Sequence, residues 1–196
     1  MQSLFSKRKK NMRYILASKS PRRKELLSEI IPTFEIITGE ADETLPDNVH
    51  PRDGVEILAI RKGEGVARDN PDAVVISSDT LVELSGIPLG KPINQADAIR
   101  MLTDLSGRAH NVHTGVAVHY KGRVFSGVAS TAVYFRNMTE DEIIYYVASG
   151  DPMDKAGSYG IQSGGGKFVE KIEGDYDTVV GLSLNLVKEL LEEAGI

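Results

Sequence analysis

Apolar positions change period along this chain in a way that separates strands from helices. Tyr14–Ala17 is a short apolar run, followed from Pro21 to about Ile30 by apolar residues at helical spacing, and Phe34–Thr38 again reads as a strand. From Pro51 to Asn70, Val55, Leu58, Ala59 and Val66 fall on one helical face with Lys62 on or near it. Ala73–Ser77 has the continuous apolar character of a buried strand, and Leu81–Leu89 folds back as a hairpin around Ser85-Gly86. Asn94 caps a helix that runs to Leu105 and stops at Gly107. Val112–Tyr120 and Val124–Phe135 alternate with period two about Lys121-Gly122, which predicts a long antiparallel hairpin. Thr139 and Glu142 form a capping box for the next helix, closed by Gly150; Phe168–Ile172 is a strand, and Leu184–Ala194 a terminal amphipathic helix. Strands and helices that alternate in this way predict an α/β sheet protein, with no internal repeat and no low-complexity linker.

Composition narrows the chemistry. The 196 residues suffice for one compact unit, expected over 13–196, with 1–12 as a basic, mobile extension around Lys7-Arg8-Lys9-Lys10. With no cysteine there is neither a disulfide, a thiolate metal site nor a cysteine nucleophile, and without a signal-peptide pattern a cytoplasmic location is expected. No run approaches the ~20 apolar residues of a membrane span, so no membrane partner is expected. A formal charge of −5, with no tryptophan and five phenylalanines, argues against a nucleic-acid partner.

Within that acidic chain the cations are local. Ser18-Lys19-Ser20-Pro21-Arg22-Arg23 joins the first strand to the first helix, with Ser20 as N-cap and Pro21 at the first helical position. Two arginines in a first turn oppose the helix dipole by roughly 0.3–1 kcal/mol each, unless an anion sits at the helix start. The alternative is that both point outward and solubilise the helix. Asp79 follows an apolar strand, at a strand end where open α/β sheets bind ligands, and the hairpin returns Lys91 toward it between Gly90 and Pro92. Taken singly, each also reads as an ordinary surface charge. Together, Arg22, Arg23, Lys62, Lys91 and Lys155 supply cations for a nucleoside triphosphate, and Glu40, Asp42, Glu43 and Asp79 supply carboxylates for a metal and for water activation. All-oxygen ligands suit Mg²⁺ or Mn²⁺. There is no P-loop, His-Glu-x-x-His or Gly-x-Ser-x-Gly motif. His110 and His113, three apart on a strand, read as surface histidines, and Gly164-Gly165-Gly166 as a flexible turn.

These residues resemble the Maf proteins, nucleoside triphosphate pyrophosphatases also called septum formation inhibitors. The likeness runs from about Arg13 to the C-terminus: Ser18–Arg23, Asp42-Glu43, Asp79, Gly90–Pro92, Leu105–Gly107, Thr114–Val116 and Val179–Leu182 all match family motifs. Asp79-Thr80 and Asp154-Lys155-Ala156-Gly157-Ser158-Tyr159-Gly160-Ile161-Gln162 are similar to the dTTP/UTP subgroup. The resemblance implies an elongated mixed sheet flanked by helices, two lobes with a cleft, like inosine triphosphate pyrophosphatases, and a homodimer. It implies cleavage between the α and β phosphates with a divalent metal held by Glu43 and Asp79, and Asp79 as the catalytic residue. Ser18, Arg22, Arg23, Lys62, Lys91, Asp154 and Lys155 would bind substrate, with Thr80 and Gln162 reading the base. The family's usual proline after Val-Val-Gly-Leu is here Ser183, a candidate helix cap, and the glycines after Gln162 are a second departure. A nucleotide-binding regulator of septum formation, without turnover, is the alternative.

Overall fold

The computed structural model describes residues 12–196, and the expected basic extension around Lys7–Lys10 lies outside them. Strand β1 (Tyr14–Leu16) leads into helix α1 (Pro21–Ile30) and the short β2 (Glu35–Ile36); α2 (Pro51–Asp69) then precedes β3 (Val74–Leu84) and β4 (Ile87–Leu89). Helix α3 (Gln95–Leu105), the hairpin of β5 (Ala109–Tyr120) and β6 (Arg123–Phe135), and α4 (Glu140–Ala148) follow. Three 3₁₀ turns (Asp151–Asp154, Ala156–Ser158, Gly164–Phe168) lead to β7 (Val169–Glu173), α5 (Tyr176–Val180) and α6 (Leu184–Glu193). Among the described residues no helix is long and apolar enough to cross a membrane.

All seven strands form one mixed sheet of order β2-β1-β3-β5-β6-β7, with β4 also on β3. The β2, β1 and β3 pairs are parallel, and every other pair is antiparallel. β3 is the spine. On one side β5 accompanies it from Val75 to Glu83. On the other, β1 pairs only with Val74–Ile76 and β4 only with Val82–Leu84. Between those two neighbours a stretch of β3 edge carries no strand.

Two large apolar cores flank this gap. One joins Leu16, Leu27, Ile76, Val118, Leu182 and Val187; the other joins Val82, Leu102, Leu105, Val133, Tyr146 and Phe168. A smaller cluster, including Ile15, Val66 and Val75, lies beneath α2. Helix α2 sits unusually close to the sheet because glycines stand where side chains would collide. A Cβ on Gly115 would lie 2.2 Å from the Val55 carbonyl oxygen, and one on Gly63 would strike His119 and Ser77. Gly115 is the register partner of Asp79, so the close approach brings α2 down at that level.

Most predicted elements are present, including the capping box at Thr139 and the Ser183 cap, whose hydroxyl accepts from the Leu186 N–H. Several expectations need correction. The strand expected over Phe34–Thr38 is two exposed residues at the sheet edge. β3 does not end at Ser77 but runs on to Leu84, because β5 continues to pair with Ser78, Asp79 and Thr80. Asp79 is therefore mid-strand. His110 and His113 are buried, and the Gly164–Gly166 run is a packed 3₁₀ turn in which a Cβ on Gly166 would lie 2.3 Å from the Ile161 carbonyl oxygen.

Gly115→Ala is expected to push α2 off the sheet and cost about 1–3 kcal/mol, as overpacking against rigid backbone does. Urea denaturation of the variant beside wild type measures it, and an unchanged midpoint would contradict the close-contact account.

Candidate active site

The gap in the β3 edge opens into a cavity of about 700 Å³, and of the candidate site residues named from sequence all but Ser18, Glu40 and Asp42 line it. Successive β3 side chains point to opposite faces. Asp79 faces α2, and Thr80 faces α1 and the turn after α5.

On the first face, Lys62 Nζ donates to Asp79 Oδ1 at 2.5 Å and stands 3.0 Å from Glu43 Oε1. Asp79 is held on the central strand with its side chain 13% exposed, whereas Glu43 is 68% exposed on the loop between β2 and α2. That loop is shaped by its neighbours. Asp42 Oδ1 accepts from the Thr44 N–H, which lowers the Asp42 pKa, and Arg61 donates to the carbonyls of Asp42 and Thr44. Asp42 thus supports the loop, and neither it nor Glu40 lines the cavity.

On the second face, Ser20 caps α1 by accepting from the Arg23 N–H, as its sequence position predicts. Arg23 Nε donates to Gly181 O at 2.8 Å, its Nη2 to Thr80 Oγ1 at 3.2 Å and its Nη1 to Ser18 Oγ at 3.4 Å. Burial lowers the guanidinium pKa, the Asp79 charge opposes that, and Arg22 adds to it. Ser78 also donates to Gly181 O, and Thr80 Oγ1 lies 3.0 Å from Thr114 Oγ1, which donates to Thr178 O. Arg23 is thereby a clamp joining three elements, and the Thr80 and Ser18 hydroxyls belong to it. Arg22 Nη1 is 3.9 Å from Asp154 Oδ2 across the cleft.

The opposite wall is built from the 3₁₀ turns. Lys155, only 11% exposed, lies 3.1 Å from Asp151 Oδ1 and 2.7 Å from Asp154 Oδ1, so its charge is committed to the wall. Asp151 also accepts from Tyr146 at 2.6 Å and Ser163 at 2.7 Å. Burial alone would raise the Asp151 pKa, but these hydrogen bonds and Lys155 outweigh it and lower it. The Gly157 N–H donates to Gly90 O, which ties the turn carrying Lys91 to this wall. Exposed at the cavity are Lys91 and, beyond Gly160, the Gln162 amide.

Sequence reasoning missed Asp151 and Tyr146, and it gave Thr114 and Gly181 only as motif positions without a role. The spacing of Asp151 to Lys155 is one signal that was present, since both lie at adjoining turns four positions apart. It also missed what holds the buried histidines. His110 Nε2 is 2.9 Å from the hydroxyl of Tyr159, a cavity residue, and His113 bridges Glu83 and Ser130 at 2.8 and 2.7 Å.

Residues 13–194 match the family described as Maf-like protein. The chain is 50% identical over 177 residues to a dTTP/UTP pyrophosphatase of Bacillus cereus (strain AH820), covering 90% of this chain and 93% of that protein. A dTTP/UTP pyrophosphatase of Bacillus anthracis is likewise 50% identical with the same coverage. Among solved structures, the Ham1 protein of Staphylococcus aureus superposes with a TM-score of 0.50 at 20% identity, over 93% of this chain and 99% of that one, a likeness of fold.

Burial pushes the pKa of His110, behind the Tyr159 wall, down to about 4. The unfolded chain near pH 5–6 then binds a proton that the folded chain refuses, so this contribution is complete above about pH 6.5 and is lost as pH falls toward 4. The expected loss is about 3 kcal/mol across that window. Denaturant titrations at pH 7 and pH 5 should show a shallower pH slope in His110→Gln, and equal slopes would contradict the assignment.

Proposed function

The chain belongs to the family of Maf-like proteins, and on that premise we propose that it hydrolyses dTTP and UTP to the nucleoside monophosphate and pyrophosphate. The observation that carries this reading is the pair of carboxylates, Asp79 and Glu43, converging on one cation position in a cleft otherwise edged by Arg22 and Lys91.

The donor set fits a hard divalent ion. Both groups are carboxylates, and the position between them already holds a positive charge, the Lys62 ammonium. Among the described residues no group of three or more His, Asp or Glu side chains is placed to hold a metal. Two carboxylates suit Mg²⁺ or Mn²⁺, which keep several ligand positions for water and phosphate oxygens. Such an ion, when bound, neutralises charge on the phosphates and makes the α phosphorus more electrophilic.

The chain's own groups do the rest. Arg22 and Lys91, on opposite walls, draw the triphosphate across the cleft, and Arg22 exchanges its long contact to Asp154 for phosphate oxygens. Asp79, rigid on β3, orients a water toward the α phosphorus and accepts its proton as the new P–O bond forms. The bridging oxygen leaves with the β phosphate, so pyrophosphate departs as the complete leaving group. Arg23 is a positioning residue that fixes α1 against β3, and Asp151 with Lys155 stiffens the wall that carries Gln162. The Gln162 amide offers a donor and an acceptor to match the O4 and N3–H edge of uracil or thymine.

Pyrophosphate release from dTTP, UTP, CTP and inosine triphosphate, with Mg²⁺ or Mn²⁺, tests the reading. Asp79→Asn is expected to lower kcat on dTTP and UTP by about 10²–10⁴-fold, the usual worth of a positioned base. Unchanged kcat would remove Asp79 from the chemistry, and no turnover of any nucleotide by wild type would overturn the enzyme itself. Gln162→Glu, which loses the amide donor, is expected to change the ranking of the nucleotides through KM. An unaltered ranking would place base reading elsewhere.

A further inference from the structure

The cation position between Asp79 and Glu43 is occupied by part of the protein. Lys62 donates a hydrogen bond to Asp79 at 2.5 Å and forms an ion pair with Glu43 at 3.0 Å. An ammonium and a divalent cation cannot share that position, since like charges about 4 Å apart repel strongly in a partly buried site. The three residues come from the loop before α2, from α2 itself and from β3, so the ammonium also draws separate elements together. Lysine suits an exchange: its charge is a point at the end of a flexible four-carbon stem, whereas an arginine fork would stay locked on the carboxylates.

We propose that Lys62 is an exchangeable counter-ion. It occupies the carboxylate pair in the empty enzyme, and on arrival of the divalent cation it swings out to an oxygen of the triphosphate. This deepens the pyrophosphatase reading and rests on it. Because the displaced ammonium needs an anion to receive it, metal and nucleotide bind cooperatively: without nucleotide the ion must break the Lys62 pairs uncompensated, and with it Lys62 moves from one anion to another.

The test is Mn²⁺ binding to the free protein, by calorimetry or by the electron paramagnetic resonance signal of unbound Mn²⁺, with and without non-hydrolysable α,β-imido-dUTP. Lys62→Met and Lys62→Gln are expected to bind Mn²⁺ tighter than wild type by roughly tenfold or more in the absence of nucleotide, and to lose most of the enhancement that the analogue gives wild type. Lys62→Arg is expected to bind Mn²⁺ no better than wild type. If Met and Gln leave Mn²⁺ affinity unchanged or weaker while Asp79→Asn abolishes binding, the exchange is wrong and the metal site stands. If Asp79→Asn and Glu43→Gln bind Mn²⁺ as wild type does, the metal reading fails and takes this inference with it. A measurement on unmutated protein stands beside these: Mg²⁺ with the analogue should shift the Lys62 ε-methylene resonance, assigned by its absence in Lys62→Arg. No shift would also overturn the exchange.

Discussion

The constraint on which the rest of this structure depends is the length of β3 relative to its neighbours on one edge. β1 leaves it after Ile76 and β4 joins it at Val82. A free strand edge is ordinarily a liability, because its backbone groups invite another strand. Here it lies within a fold, flanked by an apolar core on either side, and becomes the floor of a cleft. The strand is held from behind by nine consecutive residue pairs with β5, so the side chains it presents at the gap are rigidly placed. Alternation then assigns them: Asp79 goes to the α2 face and Thr80 to the face of the Arg23 clamp.

Charge is distributed around that gap by commitment rather than by count. Nine charged side chains line it, and so many near one another would either collapse into pairs or repel, so the fold decides which remain available. Arg23 is fully engaged by Gly181, Thr80 and Ser18, and Lys155 by Asp151 and Asp154. Each is a cation used to hold walls in place, and for Arg23 these acceptors offset its unfavourable placement at the start of α1. Arg22 and Lys91 are less constrained: one reaches a carboxylate only at 3.9 Å, and the other stands exposed in the cleft. A protein of net charge −5 can thus present a local field that suits a triphosphate.

Much of this was legible in the residues. Periodicity located the helices and the β5–β6 hairpin, because those elements each bury one continuous face, and turn chemistry marked Lys121-Gly122 and Ser85-Gly86. The Ser20 cap was legible from local chemistry, which left the arginines after it open between an anion site and a solubilised helix surface. What could not be read were features set by distant partners. The continuation of β3 through Ser78-Asp79-Thr80 is polar and looks like a turn, and it is a strand because β5 supplies its hydrogen bonds. The burial of His110 and His113 depends on Tyr159, Glu83 and Ser130, far along the chain. Separating Arg22 from Arg23, or Lys91 from Lys155, needs the acceptors around each, and composition and spacing do not name those. The short 3₁₀ turns escape a periodicity argument altogether, since three to five residues do not complete a pattern.

The two carboxylates of the site differ in a way that bears on the proposed chemistry. Asp79 is on a central strand held from behind by β5, with its side chain 13% exposed, while Glu43 is 68% exposed on an irregular loop pinned by Arg61. A group that must orient a water at a reacting phosphorus gains from rigidity, because small misplacements cost rate steeply. A group that only completes the shell of a cation gains from compliance, because the cation, its waters and the phosphates set their own distances. Gly115 and Gly63 then have a role beyond packing: by letting α2 lie directly on the sheet they place Lys62 between a fixed carboxylate and a compliant one. Were α2 raised by the width of a side chain, Lys62 would no longer span both, and the loop carrying Glu43 would lose the charge that draws it over the cleft.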